Sequence, residues 1–181
     1  MRIPGAVIAF VIISAVVVGV VLVIQEGGLP VGMQPAAPPA VSDSGESHTV
    51  PESAVPATIE YVHDGDTLFL TDGTKVRLLG IDTPEIGDHL ECYGDEATAL
   101  LRSLLPEGTG VLVLADVQPL DQYGRSLLFI YTSDGDLVNL TLIEAGAAEA
   151  VVLPPNVLFA EELESAEDAA QAAGAGMWGA C

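Results

Sequence analysis

Two short stretches, VHDGDTLFL at residues 62–70 and RLLGIDTPE at residues 77–85, hold Asp64, Asp66, Asp82 and Glu85 beside one arginine, Arg77. Carboxylates gathered without a counter-charge repel one another, and calcium or magnesium relieves this by taking oxygen ligands from carboxylates, backbone carbonyls and water. Asp66 and Asp82, helped by the Thr83 carbonyl, are the candidate ligands. Arg77 and Arg125, the latter in LDQYGRSLLFIY at residues 120–131, are two of the four basic residues from Pro56 onward; Lys75 and Arg102 are the others. A guanidinium fork holds two phosphate oxygens at once, so two forks and a cation would neutralise charge developing on a transferring phosphoryl group. Glu85, not consumed by the metal, is placed to accept a proton from attacking water. Together these parts describe a metal-assisted phosphodiesterase. The acids also suit plain turns, in which their side chains bond the local backbone, but that reading leaves the two arginines unexplained. His63 reads as a structural or rim histidine.

The elements that must position these groups are legible as alternation and turn chemistry. Strands are predicted near residues 57–63, 66–71, 75–81, 110–117 and 125–131, with Asp64-Gly65 and Asp72-Gly73 as tight turns between the first three. GDEATALLRSLLPEG places Ala97, Leu100, Leu101, Leu104 and Leu105 on one helical face and stops at Pro106 and Gly108. A short helix is predicted from Asn139, as its cap, to Gly146, and a last one over residues 157–173. Five strands with interleaved helices make a small barrel, a shape that protects its edges by closing.

Outside this unit the composition changes. Residues 4–24 carry no charge over 21 positions, enough for a helix to cross a bilayer core. Residues 1–25 are therefore read as a transmembrane anchor or signal segment, with Arg2 before it and Glu26 after it placing the rest outside the cytoplasm. Residues 26–56, rich in Gly, Pro and Ser, are read as a flexible linker, and residues 57–181 as the folded domain. The location expected is a cell membrane with an extracytoplasmic domain, or secretion if the segment is cleaved, and the domain is expected to be a monomer. Net charge is −21; from Pro56 onward 22 acids face four bases. Such a balance suits very salty surroundings, where screening shortens carboxylate repulsion, or simply an acidic surface that keeps a domain in solution. Cys92 and Cys181 are the two cysteines; an even count permits a disulfide, and two free buried thiols are the alternative.

VHDGDTLFL, VRLLGIDTPE, DQYGRSLLFIY and VNLTLIEAG, in this order, resemble the thermonuclease or staphylococcal nuclease-like family, and the likeness runs from about residue 58 to Gly179. It implies a five-stranded OB-fold barrel with about three helices, and calcium-dependent hydrolysis of DNA and RNA to products ending in a 3′-phosphate. By the same resemblance Asp66 and Asp82 are the calcium carboxylates and Thr83 the carbonyl ligand. Glu85 is the general base or water orienter, and Arg77 and Arg125 clamp phosphate. Asp64 supports the metal shell, and Asp121 and Tyr123 flank the second arginine in the pocket wall. The chain departs from the family's pattern in having one lysine in the domain, in AVVLPPN at residues 150–156, which offers a nucleotide neither tyrosine nor lysine, and in a short loop after Glu85. With few cations, the counterion release that normally carries nonspecific nucleic-acid affinity is largely missing. The alternative function is a noncatalytic nucleic-acid or protein interaction module on the same barrel, which the presence of Arg77, Glu85 and Arg125 disfavours.

Overall fold

The computed structural model describes residues 49–181. Strands β1 (Val55–Val62), β2 (Thr67–Leu70), β3 (Lys75–Leu78), β5 (Gly110–Leu114) and β6 (Ser126–Tyr131) close into a barrel in the order β1-β2-β3-β6-β5. Every neighbour pair is antiparallel except β3 with β6, which run parallel. β1 serves both halves of the barrel. Its first residues pair with β5 and its last with β2, and a bulge between Ile59 and Tyr61 bends the strand across the corner. Alternate residues point inward, so Ile59, Leu68, Val76, Leu78 and Ile130 are sealed in the centre.

The turns that join the first three strands follow from their acids. Asp64 accepts hydrogen bonds on Oδ1 from the Asp66 and Thr67 amides, at 3.2 and 2.7 Å. Asp72 does the same for the Thr74 amide at 2.9 Å, and Gly73 takes the positive φ of 86° that its turn needs. The third predicted strand is broken: after β3 the chain turns at Gly80, and the next two residues form β4 (Ile81–Asp82), which pairs with β7 (Glu149–Ala150) outside the barrel. That break swings Asp82 away from the ladder.

Helix α1 (Gly94–Leu104) lays Ala97 and Leu101 on the barrel, and α2 (Val138–Glu144) buries Leu142 and Ile143. The last predicted helix begins later than expected, as α3 (Ala160–Ala173), followed by a short α4 (Met177–Ala180). Cys92 and Cys181 are joined, with Cα atoms 6.0 Å apart across 89 residues of sequence; of the two alternatives for these cysteines, the bond is the one formed.

Asn139 does not cap α2. It sits inside the helix, fully buried, where its amide accepts from the Ile130 N–H at 3.0 Å and donates to the Leu79 carbonyl at 2.9 Å. One side chain thus ties α2 to β6 and to the end of β3. Asn139→Ala orphans both backbone groups, each of which costs about 1–3 kcal/mol when buried and unpaired. A loss of about 3 kcal/mol is expected, read as a lower urea midpoint with an unchanged slope.

The expectation of a membrane helix ahead of the barrel, and with it attachment to a membrane and placement at a cell membrane, has no support in the described structure. Among the described residues no helix is long and apolar enough to cross a membrane. Residues 4–24, on which that reading rested, and the linker as far as residue 48 lie outside the described residues.

Candidate active site

The turn after β1 and the segment after β4 meet because Gly65 has no side chain. A Cβ on Gly65 would stand 2.5 Å from Thr83 Oγ1. With that contact open, the buried Asp66 carboxylate reaches Thr83: Oδ2 accepts from the Thr83 amide and hydroxyl, each at 3.2 Å, while Oδ1 accepts from Thr67 Oγ1 at 3.1 Å.

Arg77 comes to the same point from β3, whose pairing sets it opposite Thr67. Nη1 donates to the Leu78 and Ile81 carbonyls at 2.9 and 2.8 Å. Nη2 meets Asp82 Oδ1 at 2.6 Å and Asp66 Oδ2 at 3.1 Å. One nitrogen therefore gathers both carboxylates, whose facing oxygens can be no farther apart than those two distances end to end. Burial pushes the Asp66 carboxyl above its ordinary range, Arg77 opposes this, and nearby Asp64 adds to it. The arginine is what keeps a charged Asp66 tolerable there.

Arg125 lies one residue ahead of β6. In the parallel pairing Arg77 is opposite Leu127, and residues two apart on a strand share a face, so Arg125 projects on the side of Arg77. Asp121 holds it from below, accepting from Nε at 2.6 Å through Oδ2 and from the backbone N–H at 2.8 Å through Oδ1. Burial pushes the Asp121 carboxyl up, but bonds from the Arg125 side chain, its amide and the Tyr123 amide outweigh it and leave the group below its usual range. Both Nη groups of Arg125 are without hydrogen-bond partners among the described residues, and the guanidinium is part-exposed. Arg77, Arg125, Asp121 and Gln118 line one cleft of about 370 Å³, with Leu153, Pro154 and Asn156 on its far wall.

The predicted residues do not all assemble. Asp66, Asp82, Thr83 and Arg77 converge, and Arg125 with Asp121 shares the cleft. Asp64 spends its carboxylate on the turn. Tyr123 is 76% exposed and outside the cleft lining, with its ring 5.8 Å from Arg125 Cζ. Glu85 is exposed, and no hydrogen bond or ion pair reaches its carboxylate from the described residues. Asp66 and Asp82, the two candidate ligand carboxylates, meet at Arg77, and among the described residues no group of three or more acid, histidine or cysteine side chains is placed to hold a metal.

Two contributors carried no sequence signal beyond their polarity. Asn156, buried behind the cleft, accepts from the Gln118 amide at 2.7 Å and donates to the Gln118 carbonyl at 2.9 Å, so it fastens the two walls together. Glu91 bonds the backbone of Glu85 from a loop that reads as ordinary polar surface.

The family model described as "Staphylococcal nuclease homologue" matches residues 75–180. The chain is 32% identical over 126 residues to a protein named Thermonuclease from Staphylococcus intermedius, covering 66% of this chain and 74% of that one. It is 32% identical over 123 residues to the Thermonuclease of Staphylococcus hyicus, covering 65% and 72%. It is also 32% identical over 131 residues to the SPbeta prophage-derived endonuclease YokF of Bacillus subtilis (strain 168), where the match spans 68% of this chain and 44% of that longer protein. A closed five-stranded barrel with Arg77 and Arg125 on one cleft, together with these matches, makes this chain a member of the staphylococcal nuclease family, with a nuclease-type activity.

Proposed function

We propose that this chain hydrolyses phosphodiester bonds of DNA or RNA with calcium, leaving products that end in a 3′-phosphate. The observation that carries the reading is the shared cleft: two guanidinium groups face it, and the buried Asp66 and the exposed Asp82 meet at one of them. The donors fit a hard cation. Asp66 and Asp82 offer charged oxygens within reach of a common ion, the Thr83 carbonyl is adjacent in sequence, and so few protein ligands suit calcium's preference for added water. When bound, calcium would supply charge against the phosphoryl oxygens.

The protein groups divide the remaining work. Nη2 of Arg77 is shared by two carboxylates, so it turns to a phosphate oxygen only as those acids find another cation. Arg125 needs no such release, because Asp121 holds its Nε and leaves both Nη groups for the substrate. Glu85 takes a proton from the attacking water as the new P–O bond forms. The bond from phosphorus to the 5′ oxygen breaks, and that oxygen leaves as a hydroxyl with a proton from solvent.

Release of acid-soluble nucleotides from single-stranded DNA by the full chain, with calcium and then with chelator, tests the reading. Glu85→Gln keeps the shape but removes the base, and turnover is expected to fall about 10²–10³-fold with the Michaelis constant little changed. Equal hydrolysis with and without chelator would sink the calcium assignment. A folded chain with no hydrolysis at all would leave an interaction module on this barrel.

A further inference from the structure

Glu85 is the least anchored member of the site. Its carboxylate has no partner among the described residues, so its aim is set by its backbone. The loop that follows offers that backbone little support from the core: no residue from 86 to 92 is buried, the single turn Gly87–His89 has no buried side chain, and Leu90 is 58% exposed.

Other contacts hold it. The Glu85 N–H donates to Glu91 Oε2 at 3.0 Å, and the Glu85 carbonyl accepts from the Glu91 N–H at 2.9 Å, which closes the loop on itself. The Glu91 carbonyl in turn accepts from the Gly94 amide at 3.1 Å. The start of α1 presses against the same carbonyl of Glu85, since a Cβ on Gly94 would lie 2.4 Å from it. Between Cys92 and Gly94 the chain passes through Tyr93 at φ 73°, a left-handed conformation that a tyrosine adopts only when its surroundings impose it.

The same loop is also held covalently. Cys92, next to Glu91, is bonded to Cys181. The Cys181 amide donates to the Met177 carbonyl at 3.0 Å, and Met177, buried, donates its own N–H to the Gly146 carbonyl at 2.9 Å. A loop without a buried foothold is thereby fastened through the chain end to the turn after α2.

We propose that Glu91 is a positioning residue for the hydrolytic reaction: its carboxylate and main chain, anchored through the Cys92–Cys181 bond, aim the Glu85 carboxylate. This rests on the nuclease reading given above. Glutamine at position 91 keeps an oxygen for the Glu85 N–H, whereas alanine removes it. Misplacing a reacting group by about 1 Å can cost about 100-fold, so Glu91→Ala is expected to lower kcat about 10- to 100-fold with KM within about twofold, and Glu91→Gln to recover most of the rate. Reducing the exposed disulfide of the full chain with a dithiol, which is itself oxidised to a cyclic disulfide as two thiols form at 92 and 181, is expected to reproduce the kcat loss while the far-ultraviolet dichroism is unchanged.

The decisive arm is coupling. In a Glu85→Gln background Glu91→Ala should add no further loss, because nothing remains to be aimed; a full additional loss there would overturn the proposal. Amide exchange at Glu85 and Gly94 gives a readout without activity, and Glu91→Ala should speed it about tenfold or more. Unchanged exchange together with unchanged kcat would overturn the proposal too. Faster exchange in a chain whose native form hydrolyses nothing would overturn the nuclease reading and uphold the hold of Glu91 on Glu85.

Discussion

Arg77→Ala is expected to lower nucleic-acid hydrolysis by about 10³-fold or more, at the scale seen when a charge-stabilising donor is removed from a transferring phosphoryl group. The side chain makes two bonds to carbonyls and meets two carboxylates, so its loss removes a phosphate grip and also loosens the ground on which a cation would sit. Arg77→Lys should recover little, because an ammonium cannot occupy two carbonyls and two carboxylates in one plane. Steady-state rates at saturating calcium measure this; a lysine variant within tenfold of the native rate would show that charge alone suffices.

The same substitution has a pH signature. Asp66 is pushed up by burial and held back by Arg77. A carboxyl whose folded pKa stands above its unfolded value binds protons preferentially in the fold, so stability is greatest below the unfolded value and declines as pH rises through the folded one. Without Arg77 that folded value climbs further. The stability deficit of Arg77→Ala should therefore be largest at neutral pH and close as the solution is acidified and Asp66 protonates. Thermal midpoints in chelator from about pH 3 to pH 7 test this, and a deficit independent of pH would mean that Asp66 does not feel the guanidinium.

The second large effect is thermodynamic. The Cys92–Cys181 bond closes a loop of 89 residues, and in the chain-entropy picture a loop of about that length contributes about 4.5 kcal/mol by restricting the unfolded chain. Replacing both cysteines by serine is expected to lower the unfolding midpoint by roughly 10–15 °C. Calorimetry of the native and double-serine chains decides it. Equal midpoints would mean that the unfolded chain is already held compact by something else, or that the ends do not bond in solution.

The barrel was readable because its turns are spelled out locally. Asp64-Gly65 and Asp72-Gly73 each bond their own backbone within three residues, and the strands between them carry the core. Where sequence reading failed, the cause lay far along the chain. Residues 75–81 read as one continuous strand, yet Ile81 pairs with Ala150, some 70 residues away, and nothing near Gly80 announces that partner. Asn139 looked like a cap because asparagine favours helix starts, but its partners are on β6 and after β3. In the site, residue types pointed to the acids and arginines, while the number of acids that meet depends on Gly65 lying against Thr83, a fit between segments 18 residues apart. Glu91 is invisible to such reading, since a surface glutamate bonding a neighbour's amide has no compositional mark.

The parallel seam between β3 and β6 works as a ruler. Neighbouring strands lie about 4.8 Å apart and each residue advances about 3.3 Å, so the pairing of Arg77 with Leu127 fixes where Arg125 stands relative to Arg77. The interval between the two grips is a property of the ladder and not of either side chain. A slip of one residue along that seam would turn Arg125 to the opposite face, and a slip of two would carry it past the span of a single phosphate. The segment from Val117 to Gly124 is tied to the same interval, because Asp121 within it grips Arg125 and Gln118 within it bonds Asn156.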